Sequence, residues 1–71
     1  MKYELGSCLL QQRLGQAGLS IQALAAELKI RPERLMDYME DRRVMPLKTA
    51  LSIAATLNCD PSDLYELIPQ Q

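Results

Sequence analysis

Residues 20–40 read SIQALAAELKIRPERLMDYME, and this stretch decides the fold. Ile21, Leu24, Ala25 and Leu28 recur at i, i+3, i+4 and i+7, one apolar stripe of a helix. Ser20 stands just before the stripe, where its hydroxyl can accept from an orphan N–H of the helix start. Lys29-Ile30-Arg31 breaks the period. Pro32, with its fixed φ and no N–H to lose, then opens a second apolar set at Leu35, Tyr38 and Met39. Two helices of about eight residues are too short to hold alone in water. They must cross at a tight turn and share one core, which is a helix-turn-helix unit over about residues 20–40.

Working outward, the N-terminal side predicts a first helix from about Leu5 to Ala17, with Leu9, Leu10, Leu14 and Ala17 along one face. Gly6 and Gly15 each weaken such a helix by about 1 kcal/mol relative to Ala. Gly18 follows as a left-handed stop. Met1 to Tyr3 reads as a frayed end or short arm. On the other side, Asp41-Arg42-Arg43-Val44-Met45 is a loop ending at Pro46, a first-turn proline. A fourth helix carries Leu47, Ala50, Leu51, Ala54 and Leu57 at helical spacing, with Ile53 widening the stripe. This is the most apolar helix, expected at the centre of the core and stopped by Asn58. Asp60-Pro61-Ser62-Asp63 reads as N-cap, N1, N2 and N3 of a C-terminal helix over about residues 60–68, with Cys59 and Leu64 as its hydrophobic staple. Leu64, Tyr65, Leu67 and Ile68 are its apolar residues, and Pro69 ends it. No linker, repeat or low-complexity segment divides the chain. The expected architecture is all-α, one five-helix domain over residues 1–71.

Composition agrees with a small helical core. Apolar residues make up 48% of the 71, Phe and Trp are absent, and aliphatic side chains must do the packing. No run reaches the roughly 18 apolar residues of a membrane span, and the N-terminus lacks the apolar core of a signal peptide. A soluble, cytoplasmic protein is expected. Cys8 and Cys59 stand far apart with no His in the chain. They read as ordinary core or boundary residues, neither a metal site nor a disulfide framework. No cofactor is expected. With no His, no Gly-rich phosphate loop and no cysteine beside a base, no enzymatic activity is expected.

The net charge is −1, but it is unevenly spread. Residues 29–48 hold Lys29, Arg31, Arg34, Arg42, Arg43 and Lys48 against Glu33, Asp37, Glu40 and Asp41, a local excess of two positive charges. The remainder holds Lys2 and Arg13 against Glu4, Glu27, Asp60, Asp63 and Glu66, an excess of three negative charges.

Two blocks of the chain carry a resemblance. GLSIQALAAELKIRPERL (Gly18–Leu35) is similar to the G-L-S-x-x-x-L-A-x-x-L-x-[VI] run of the Xre-type helix-turn-helix proteins, which include the phage Cro and repressor DNA-binding domains. LKTALSIAATLNCDPSDLYEL (Leu47–Leu67) resembles the later block of the same family, L-x-T-L-x-x-I-A-x-x-L-x-[VC]-x-x-x-[DE]-L-[FY]. The resemblance implies a five-helix domain whose third helix enters the DNA major groove. It aligns Arg31, Pro32, Glu33, Arg34 and Asp37 with the base-reading positions. Three departures stand out: Ile21 where the family usually has Gln, Asp41 where it has Gly, and Met45 where it has Pro.

Candidate contacts follow. Arg31 and Arg34 can bond bidentately to guanine O6 and N7, or remain solvated beside Glu33 and Asp37. Glu33 and Asp37, four apart on one face, can accept from cytosine N4, or orient Arg34 and the turn arginine, or face away from DNA. Arg42, Arg43 and Lys48 lie where relatives touch phosphate, and Gln22 stands one residue beyond the usual Gln; these four are the candidate phosphate contacts. Tyr38 and Met39 read as core. Tyr65, Leu67 and Ile68 offer more apolar surface than one buried stripe needs, so they either close the core or form a homodimer contact. Two functions compete: a small DNA-binding regulator, expected to be a bacterial or phage-type repressor on an operator-like duplex, and a protein-interaction module (anti-repressor, antitoxin-like or heterodimer partner) on the same scaffold.

Overall fold

The computed structural model describes residues 2–70, with the order β1 (Tyr3–Cys8), α1 (Leu10–Ala17), α2 (Ile21–Leu28), α3 (Pro32–Met39), α4 (Leu47–Leu57), a 3₁₀ turn (Pro61–Leu64) and β2 (Tyr65–Pro69). Met1, read as part of a frayed end, lies outside the described residues. No described helix is long and apolar enough to cross a membrane.

Four helices form, and both ends of the chain depart from the all-α, five-helix expectation. The stretch read as the start of the first helix is β1, and the stretch read as a fifth helix is a 3₁₀ turn running into β2. The two strands pair antiparallel, with Tyr3 opposite Pro69, Glu4 opposite Ile68, Leu5 opposite Leu67 and Cys8 opposite Tyr65. The register shifts between Leu5 and Cys8, one extra residue on β1 that bends the ribbon. Gly6 belongs to this pairing. An added Cβ there would sit 3.0 Å from the Glu66 Cβ, so the Glu66 side chain, which lies across the strand at Gly6, would have to shift. A five-residue segment beside Pro69 is too short to hold a helix, whereas pairing satisfies the backbone of both ends at once.

The helix boundaries follow their punctuation. The Ser20 hydroxyl accepts the Ala23 N–H at 3.1 Å, and Pro32 opens α3. Pro46 precedes α4 as its N-cap, one place earlier than expected. Three helices end directly on a left-handed residue, Gly18, Lys29 and Asn58 at φ 70°, 58° and 57°, and α3 ends through Glu40 with the left-handed residue one place later, Asp41 at φ 61°. After each, the next N–H reaches back to a carbonyl five residues earlier: Leu19 to Leu14, Ile30 to Ala25, Arg42 to Asp37 and Cys59 to Ala54. Ahead of the 3₁₀ turn the Asp63 carboxylate accepts the Asp60 N–H at 3.2 Å, the expected arm of a capping box.

The core takes one fully buried aliphatic side chain from each of α1, α2, α3, α4 and the 3₁₀ turn: Leu10, Leu24, Leu35, Ile53 and Leu64. Leu14, Ala25, Tyr38, Met45, Ala54 and Leu57 complete it. Tyr38 is core, as expected, and Cys8, Cys59 and Met39 are half-buried at its edge. The α4 stripe is rotated from the expected one. Ile53 is its centre, while Leu47 and Leu51 point outward at 73% and 48% exposure. Helical spacing alone admits both faces, and the core selects the one shared with Ala50, Ala54 and Leu57.

The sheet is fastened to the loop after α3. The Cys8 N–H donates to the Asp41 carboxylate at 2.9 Å, and the Met45 N–H donates to the Tyr65 hydroxyl at 3.1 Å. Burial pushes the Tyr65 phenol above its ordinary pKa, so the hydroxyl stays neutral.

Ile53→Ala is expected to cost about 2–5 kcal/mol by urea unfolding, and Leu51→Ala less than about 1 kcal/mol, because the second side chain is half in water. Asp41→Ala removes both the acceptor for Cys8 and a residue tolerant of positive φ, and should cost about 1–3 kcal/mol. Asp41→Gly should lose less, since glycine relieves the backbone term.

Candidate nucleic-acid interface

The turn between α2 and α3 sets the geometry. Lys29 reverses the chain in the left-handed region, Ile30 tucks against the core, and α3 starts at Pro32 with the Arg31 carbonyl accepting the Arg34 N–H at 3.0 Å. Leu35 and Tyr38 anchor α3 inward. At 3.6 residues per turn the opposite, outward face carries Glu33, Asp37 and Glu40, flanked by Arg34 on one side and Met36 on the other.

Arg31, Glu33 and Arg34 are exposed, and none is in an ion pair among the described residues. Asp37 is different. Its Oδ1 lies 3.4 Å from Arg42 Nη1 and its Oδ2 3.7 Å from Arg43 Nε, while Glu40 Oε2 lies 2.6 Å from Arg42 Nη2. The Asp37 carbonyl accepts from the N–H groups of Arg42 at 2.9 Å and Arg43 at 3.4 Å. The left-handed Asp41 makes this reversal, folding the loop back over the last turn of α3. Asp37 pairs with the loop arginines, not with Arg34 or the turn arginine Arg31, a partnership that none of the expected alternatives named.

Gln22 is exposed on the first turn of α2. Lys48 is exposed on the first turn of α4, lining a hollow with Leu28 and Ile30 beside the α2–α3 turn. Of the candidates for a homodimer contact, Tyr65 is half-buried with its hydroxyl committed to Met45, whereas Leu67 and Ile68 are exposed on opposite faces of β2.

The three departures from the Xre pattern each have a physical counterpart. Ile21 packs partly buried against the core rather than reaching outward. Asp41 occupies a position that demands positive φ, and repays it with the bond to Cys8. Met45 uses the N–H that a proline would lack. Glu40 was not among the expected contacts. Its partner Arg42 is two residues on, past a helix end, a spacing that helical periodicity does not expose. Burial raises the pKa of both thiols, with the Asp41 charge pushing Cys8 further and the Asp63 charge pushing Cys59, so both are held protonated.

From Arg31 to Arg43 four arginines are balanced by four carboxylates, and Lys29 and Lys48 leave the candidate interface an excess of only two positive charges over residues 29–48. Its sequence-independent attraction to a duplex is therefore small, and binding must depend on where each charge lies.

Comparison with known proteins agrees with this frame. Residues 10–70 match the Cro/C1-type HTH DNA-binding domain. The chain is also 36% identical over 67 residues to YopS of Bacillus subtilis (strain 168), named an SPbeta prophage-derived uncharacterized HTH-type transcriptional regulator; the match covers 93% of this chain and 90% of YopS. The chain belongs to the Cro/C1-type helix-turn-helix DNA-binding family.

Proposed function

We propose that the chain is a small transcriptional repressor of bacterial or phage type that occupies an operator-like duplex as a homodimer. The observation that carries this reading is the pair Arg31 and Arg34, exposed and free of ion pairs among the described residues, at the start of the helix that family members insert into the major groove. Each is suited to guanine O6 and N7, and Glu33 beside them to cytosine N4. Arg42, Arg43, Lys48 and Gln22 would grip phosphate and fix the register of α3. The name of the prophage relative favours a regulatory role.

The dimer contact is assigned to the ribbon. By the strand register Tyr3, Leu5, Leu67 and Pro69 share one face, and Tyr3, Leu5 and Leu67 are 53%, 51% and 51% exposed. They offer roughly 300 Å² of apolar surface, the size of the largest patch on a typical monomer, which is often functional. A two-stranded ribbon is marginal on its own, and stacking against a second copy would bury this face.

The carboxylates at positions 33, 37 and 40 favour the second reading, a protein-interaction module, and one experiment separates the two. Selection from a random duplex pool at low and near-physiological salt should return a motif with two-fold symmetry. No enrichment at either salt would instead support the interaction module. Within the first reading, Arg42→Ala with Arg43→Ala should weaken binding to the recovered duplex and flatten its slope of log K against log salt by up to about two. Leu5→Lys with Leu67→Lys should halve the mass seen by sedimentation equilibrium while leaving the helical circular dichroism unchanged.

A further inference from the structure

We infer that Asp37 sets the selectivity of this domain by holding Arg42 and Arg43 off phosphate until a base amino group takes their place on its carboxylate. The inference rests on the reading of Arg42 and Arg43 as phosphate contacts.

Both Asp37 oxygens are engaged, one by each arginine, and Glu40 takes the remaining face of Arg42. The backbone enforces this arrangement, because the N–H groups of both arginines donate to the Asp37 carbonyl and place their side chains back over its carboxylate. The pairs are exchangeable. The arginine side chains are 67% and 63% exposed, and ion pairs in that setting hold weakly. A phosphate can offer one guanidinium two oxygens at once, where Asp37 offers each arginine only one.

The exchange leaves a debt whose size depends on the bases. When Arg42 and Arg43 move to phosphate, Asp37 is left on the outward face of α3 as a bare carboxylate close to the groove and its phosphates. On an arbitrary sequence it has no donor, and the repulsion offsets the counterion release gained by the arginines. Opposite a cytosine, the N4 amino group donates into the major groove and replaces the lost guanidinium. Grip and readout are thereby coupled through one side chain. Glu33, on the same face but outside the ion-pair cluster, has no such link to the arginines.

The test compares wild type, Asp37→Asn, Glu33→Gln and Arg42→Ala/Arg43→Ala, and each carboxylate variant combined with the arginine pair. Binding of the full chain to a random-sequence duplex pool is measured across a salt series, and the retained duplexes are sequenced. Asp37→Asn should bind the pool about three- to tenfold more tightly with a steeper salt slope. It should also lose a cytosine preference that wild type shows at one position. The gain should vanish in the arginine-free background, whereas any gain from Glu33→Gln should persist there. An Asp37→Asn gain that survives without the arginines, an absent gain, or an unchanged base preference each overturns the inference. On the duplex that wild type enriches from the pool, a salt slope unmoved by Arg42→Ala/Arg43→Ala overturns the phosphate reading itself, and a slope that falls there without any Asp37 effect overturns only the coupling. Unfolding midpoints within the error of wild type establish that the isosteric Asn leaves the fold intact.

Discussion

Three of the four helices are eight residues long, two turns each and below the length at which a helix holds itself in water. Their existence depends on the shared aliphatic centre of Leu10, Leu24, Leu35, Ile53 and Leu64. Removing any one element opens this shared centre to water. The same constraint explains the uniform helix ends. Segments this short have almost as many terminal as internal backbone groups, so each must close tightly, and four left-handed residues do so. α3 is the element with most at stake, since no helix covers its outward face and Leu35 and Tyr38, with Met39 at the edge, anchor it to the core.

Charge gives the surface its character. A domain of this family with a net charge of −1 has little long-range pull on a polyanion. The arginines are present, but those in the loop are turned onto carboxylates of the preceding helix. Short-range geometry then decides what binds, a regime in which discrimination is gained at the expense of affinity.

The sequence was most legible where local chemistry acts. Ser20, Pro32, Gly18, Asn58 and the Asp60–Asp63 pair each mark a boundary through bonds made within a few residues, and each lies where expected. The ends of the chain were not legible for the opposite reason. Leu64, Tyr65, Leu67 and Ile68 satisfy a helical spacing as well as a strand, and the partner that decides between them lies more than fifty residues away in β1. The α4 face was ambiguous because Leu51 and Ile53 both fit a 3.6-residue period. At the candidate interface the residue types were legible, and the Asp37 cluster was not. It forms across a helix end, through a backbone reversal at Asp41 that no side-chain period announces.

The ribbon joins the two ends of the described chain, with the Gln70 N–H meeting the Lys2 carbonyl at 2.6 Å. Contacts of such sequence separation carry the largest closure entropy in the domain and are made after local helices have collapsed. Amide protons of β1 and β2 are therefore expected to exchange with solvent through a local opening that leaves the aliphatic centre closed. In that opened state Asp41 loses Cys8 and Met45 loses Tyr65, so the arginine loop is released from below while α3 stays in place. The folding unit that closes the chain is thus also the one that governs how firmly the loop behind α3 is held.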